Sequence, residues 1–183
     1  MTTGFHAAPH GGARIEIDRD EARLLRSMAE LVLRIVEEPE QQDGLAALVG
    51  ISESAARPKD PVLSRLLPDA YTDDPASAGD FRRYTENGLR RHKRENAQRV
   101  VAAIPAEGGA VTLDADDAQT WLKLLTDVRL SLGTRMGVET EEDVYAMRAA
   151  ASRDDSLAAA AHIYEWLTHL QETLVQAVWQ HRE

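Results

Sequence analysis

The chain has 183 residues, of which 43% are hydrophobic, 28% charged and only 5% aromatic, and it carries a net charge of −10. That length sets one domain or at most two small ones, and the acidic balance disfavours indiscriminate binding of nucleic acid or anionic membrane by the whole surface. Cysteine is absent, which excludes disulfides, thiol redox switching and Cys-ligated metals.

Met1 to Ala13 lacks the basic and apolar regions of a secretory signal, and its small and polar residues read as a flexible tail. Residues 14–183 read as a single domain. Abundant alanine predicts a mainly α fold, a helical bundle with one short two-stranded β ribbon. No apolar run of about 18 residues occurs, so no membrane-spanning helix is expected and the predicted location is cytoplasmic.

The segment 14–38 is predicted as a strand plus a helix. Arg14 to Ile17 alternate polar and apolar, Asp18 can cap a helix, and Glu21 completes a capping box. Leu24, Leu25, Met28, Leu31, Val32 and Ile35 then recur at helical spacing until Pro39. Segment 39–74 is a proline-rich connector with short helical pieces, in which Asp60-Pro61 pairs a cap with a proline at the first helical position. Asp74-Pro75 repeats that signal and starts the next helix. Segment 75–104 is a basic helix that Gly88 is expected to bend or interrupt.

The pattern of Arg14 to Ala22 then recurs at Ala110 to Ala118. Gly11-Gly12 precedes the first copy and Gly108-Gly109 the second. Segment 110–137 is therefore a second strand feeding a helix, capped by Asp114. In segment 140–183, Thr140 with Asp143 starts a short helix. Ser152 to Asp155 then caps a long last one with the core stripe Ile163, Leu167, Leu170, Leu174 and Val178. Two strands this short satisfy their backbone groups most cheaply by pairing with each other, so Ile15 and Ile17 should neighbour Val111 and Leu113. The pattern leaves their relative direction open.

Few residues point to chemistry. Asp18/Asp20/Glu21 and Asp114/Asp116/Asp117 look like metal-binding fragments, but each lacks the fuller ligand series of a calcium loop. Acids at helix starts are explained by free N–H groups and the helix dipole. Asp43 to Ser52 resembles the first half of a helix-turn-helix, yet Pro58 and Pro61 leave no room for a recognition helix. His162 and His169, with Glu165 between them, have the wrong spacing for a zinc hydrolase. No phosphate loop, dinucleotide fingerprint or nucleophile elbow is present. The chain reads as a non-enzyme without cofactor or metal.

The basic segment is sharper. Arg82, Arg83, Arg90, Arg91, Lys93, Arg94 and Arg99 stand against only Glu86 and Glu95. Such a stripe fits DNA phosphates, an acidic partner surface, or neutralisation of the protein's own acidic helices. In the last helix, Tyr164, Val175 and Trp179 widen the apolar surface and form a candidate homodimer seam.

The strings Leu67-Pro68-Asp69-Ala70-Tyr71 and Asp80-Phe81-Arg82-Arg83-Tyr84-Thr85-Glu86 carry a resemblance. Trp121-Leu122, Asp127 to Arg135, Tyr164 to Thr168 and Leu170-Gln171-Glu172 extend it. Together they resemble an actinobacterial family long catalogued as a domain of unknown function, encoded near the Clp adaptor ClpS, with members also named AosR, for actinomycete oxidative stress regulator. The resemblance implies a helical cytoplasmic regulator of stress-response transcription that contacts a sigma factor or RNA polymerase, with DNA contacts as a further expectation. An adaptor role in ClpS/Clp proteolysis is the alternative it implies. The redox sensing associated with the family rests on a cysteine pair, which this chain lacks.

Overall fold

The computed structural model describes residues 3–37, 56–71 and 73–179. The repeated strand–Asp–helix pattern organises the fold. Its two strands, β2 (Gly12–Ile17) and β3 (Gly109–Leu113), pair antiparallel with Ala13 opposite Leu113, Ile15 opposite Val111 and Ile17 opposite Gly109. This register puts Ile15, Ile17, Val111 and Leu113 among the buried residues and leaves Arg14, Glu16 and Thr112 exposed. Alternation along each strand thus sets which face meets the core.

The sheet has a third strand. β1 (His6–Ala8) pairs antiparallel with β2, His6 opposite Arg14 and Ala8 opposite Gly12. The flexible tail expected over residues 1–13 is therefore corrected for residues 3–13. Composition shows weak propensity there but not the tertiary anchors. Phe5 is buried with its ring edge-on to Trp121, 5.7 Å between centroids, and its N–H donates to Thr173 Oγ1 at 3.0 Å. A buried aromatic and a paired edge outweigh the entropy of ordering a few residues.

Two glycines of the repeat are needed for close approach. A Cβ at Gly12 would lie 2.3 Å from the Leu113 carbonyl oxygen. Gly108, at φ +80°, would place one 2.7 Å from the Asp18 carbonyl carbon. Any side chain would push apart the two strand–helix units.

Six helices lie among the described residues: α1 (Arg19–Ile35), α2 (Pro61–Leu66), α3 (Pro75–Ala103), α4 (Ala115–Arg135), α5 (Glu141–Ala151) and α6 (Asp155–Trp179). Their starts follow the sequence signals. Asp18 and Glu21 form a complete capping box, as do Thr140 and Asp143. Asp60, Asp74 and Asp114 each accept backbone N–H bonds, and Asp154 accepts from Ser156 and Leu157. α3 runs unbroken through Gly88. A mid-helix glycine costs only about 1 kcal/mol, and the helix is held on both sides of it, where Arg82 and Arg90 each bond Glu86.

α4 and α6 pack on each other and against the sheet, and α1 packs on α3 and α4. Trp121, Leu125, Leu167, Leu170, Leu174 and Val32 fill the interior between these layers. Ile163 and Val178 complete the α6 stripe as partly buried members. The helix-turn-helix-like string Asp43 to Ser52 lies outside the described residues. No helix among the described residues is long and apolar enough to cross a membrane.

Candidate interaction surface

The seven basic residues of α3 divide into two sets. Arg82 and Arg90 are buried, 5% and 4% exposed. Both grip Glu86, Arg82 through Nη1 at 2.8 Å and Arg90 through Nη2 at 2.7 Å. Arg82 also donates to Asp69 at 2.5 Å and to the Leu67 carbonyl at 3.2 Å. Arg90 donates to the Glu37 carbonyl at 3.0 Å. Lys93 meets the buried Asp127 of α4 at 2.5 Å.

These partners have a common logic. Leu67 is the C-cap of α2, and Glu37 follows the C-cap of α1. Arg26 of α1 returns the contact by donating to the carbonyl of Ile104, the C-cap of α3. The last carbonyls of a helix lack intrahelical partners and form the negative end of its dipole. Three helix ends are thus closed by guanidinium groups from other helices. Arg82 and Arg90 are thus buried inside the protein against Glu86 and the ends of two helices.

The electrostatics follow from burial. Desolvation works to lower the Arg82 pKa, but its bonds to Glu86 and Asp69 and their charges outweigh this and raise it above the ordinary value. Asp127 is pushed up by burial, only partly offset by the Lys93 charge and hydrogen bond.

The other cations face outward. Arg83 and Arg91 are exposed and reach Asp80 and Glu95 only at 4.0 Å. Arg99 pairs with Asp117 at 2.6 Å on the surface, and half-buried Arg94 makes no ion pair among the described residues. Beside them stand aromatics that the sequence reading did not single out as a site. Phe81 is 46% exposed, Tyr84 68% and Tyr71 51%, with Tyr71 packed edge-on to Phe81 at 6.0 Å. Phe81 and Tyr84 lie three apart, Tyr84 and Arg91 seven apart, so they are neighbours on the helix surface. The signal was present in Phe81-Arg82-Arg83-Tyr84, where aromatics flank charge on a helix whose buried face is carried by Ala78, Ala97 and Val100.

The remaining candidates are spent or separated. Asp18 and Asp114 act as helix caps. His169 meets the Thr3 carbonyl, and Glu165 is taken by Arg148 at 2.6 Å. Of the proposed seam, Val175 and Trp179 are exposed. Tyr164 instead lies against the guanidinium of Arg129, 5.4 Å from ring centroid. It lines a cavity of about 330 Å³ with Arg65, Gly133 and Val138.

Comparison with known proteins matches a family described as "Domain of unknown function (DUF2017)" over residues 2–178. The chain is 31% identical over 172 residues to proteins named "Oxidative stress regulator AosR" from Mycobacterium bovis and Mycobacterium tuberculosis, covering 85% of this chain and 77% of theirs. It is 31% identical over 178 residues to a "Putative oxidative stress regulator AosR" from Mycobacterium leprae, covering 86% and 78%. No solved structure matches.

Proposed function

The chain belongs to the family described as a domain of unknown function, DUF2017, and from that premise we propose that it is a non-enzymatic regulator of the oxidative-stress response. It acts by binding an acidic surface of a transcription protein, a sigma factor or RNA polymerase, through the outer face of α3. The names of its mycobacterial relatives support the regulatory role. The observation that carries the interface is the mixed patch of Tyr71, Phe81, Tyr84, Arg83 and Arg91, exposed although the protein has a complete core elsewhere. Aromatics and arginine are the residue types that anchor protein interfaces. The same patch suits DNA less well. Arg82 and Arg90 are buried, Lys93 is paired with Asp127, and the chain as a whole is acidic.

The test is affinity capture from native cytoplasm with the wild type and with Arg83→Glu/Arg91→Glu. We expect a sigma factor or polymerase subunit to be retained by the wild type, released as salt rises, and lost by the variant. Tyr84→Ala should weaken capture by about 2 kcal/mol or more, the range of an interface hot spot. Capture of Clp components instead, or equal capture by both proteins, refutes the reading. Promoter binding with a steep salt dependence that the charge reversal flattens would reassign the patch to nucleic acid.

A further inference from the structure

An oxidative-stress regulator without cysteine has no thiol to oxidise, yet methionine offers a second reversible sulfur chemistry. Two of the chain's four methionines meet at one junction. Met136 is the C-cap of α4, where the chain turns toward α5. Met147 is the buried residue of α5. Both line a cavity of about 250 Å³ with Ala150 and Leu157. Leu157 is 41% exposed, so the cavity opens to solvent and admits a small oxidant.

We propose that Met136 and Met147 form an oxidation site whose conversion to sulfoxide releases α5 from the body of the protein. The oxidant class is an electrophilic halogen donor such as hypochlorous acid. The thioether sulfur attacks its chlorine, an S–Cl bond forms and the Cl–O bond breaks, with hydroxide leaving on the electron pair. Water then adds to sulfur, the S–O bond forms as the S–Cl bond breaks, chloride leaves with the electron pair, and the two protons of that water pass to hydroxide and bulk water. Sulfur is oxidised by two electrons and chlorine is reduced by two.

The consequence follows from how α5 is held. It packs against α6 with Met147 as its one residue in the buried class. The Arg148–Glu165 pair that also ties it down is about half exposed on both sides, a kind of contact that contributes little. A sulfoxide replaces an apolar group by a strong acceptor. Asp143, the charged residue of the lining, offers no proton, since it is itself an acceptor for the Glu139 and Thr140 N–H groups. Hydrating that sulfoxide acceptor draws water into the one contact that Met147 otherwise keeps apolar, which weakens the docking of α5.

The stress-signalling meaning of this site rests on the proposed function, whereas the oxidation and release do not. The experiment therefore needs no partner. The purified chain is treated with hypochlorous acid, each methionine is mapped by mass spectrometry, and amide exchange is followed across residues 141–151. In the wild type we expect Met136 and Met147 to be oxidised and exchange in α5 to accelerate at least tenfold. Methionine sulfoxide reductases of both stereospecificities should restore the slow rate. In Met136→Leu/Met147→Leu, which conserves volume and retains the other methionines, exchange should stay slow after the same treatment. The proposal fails if Met28 is oxidised while Met136 and Met147 are spared. It fails equally if both are oxidised without faster exchange, or if the double variant accelerates as much as the wild type. Capture of a sigma factor or polymerase by the unoxidised protein reports separately on the functional reading.

Discussion

Lys93, one member of the basic stripe read in the sequence, lies against the buried Asp127 in the fold. The two are 2.5 Å apart, with side chains 14% and 5% exposed. Burial raises the Asp127 pKa despite its partner, so the charged carboxylate is held at a cost. Removing the cation alone leaves that carboxylate buried and uncompensated. Lys93→Met should therefore destabilise the protein by about 3–5 kcal/mol in urea denaturation. Replacing both, as Lys93→Met/Asp127→Leu, should recover most of that loss or all of it, because two apolar side chains of similar size need no mutual charge. If the double variant is as unstable as the single one, the pair does more than neutralise itself. Arg83, ten residues earlier and open to solvent, should tolerate Ala within about 0.5 kcal/mol.

At the scale of elements, the helix boundaries were legible and the contacts that close the helix ends were not. Asp18, Asp60, Asp74, Asp114 and Thr140 are read from residue type and spacing alone, because a cap bonds within its own turn. The closing contacts are long-range. Arg90 reaches Glu37, 53 positions away, and Arg26 reaches Ile104, 78 positions away, and no local pattern encodes either. The sequence places Arg83 and Arg90 in one basic stripe, yet only packing decides that Arg90 is buried and Arg83 open. β1 was illegible for the same reason, since His6-Ala7-Ala8 has no alternation and is fixed by Phe5 against Trp121. That explanation has a consequence. Phe5→Ala should cost about 3–5 kcal/mol, the usual range for a buried aromatic, and should expose the β2 edge to amide exchange at Arg14. A loss under about 1 kcal/mol would mean that the strand orders without its anchor.

Across the whole molecule, acidification should act in two opposed stages. Asp127 titrates in the folded state above its unfolded value of 3.8. The folded form therefore binds that proton more tightly, and stability is gained as pH falls through the raised pKa. The helix-start carboxylates Asp74, Asp143 and Asp154 behave oppositely. The side-chain bond from Ser77 is the largest cause at Asp74, the backbone bond from Glu139 at Asp143, and the side-chain bond from Ser156 at Asp154. Each set holds its carboxylate below 3.8. Their contribution is complete above the unfolded value and is lost as pH falls through the lowered folded values. They start α3, α5 and α6, so the loss falls on three helices together. Denaturation midpoints of the wild type and Asp127→Asn, measured from pH 7 to pH 2, separate the stages. The difference between the two curves should shift in favour of the wild type above pH 3.8 and be flat below it. The amide signals of Ala76, Thr140 and Ser156 should move only below 3.8. If they move together with the Asp127 step, the helix-start carboxylates and the buried pair titrate as one network, and the helix ends are coupled through the core rather than closed one by one.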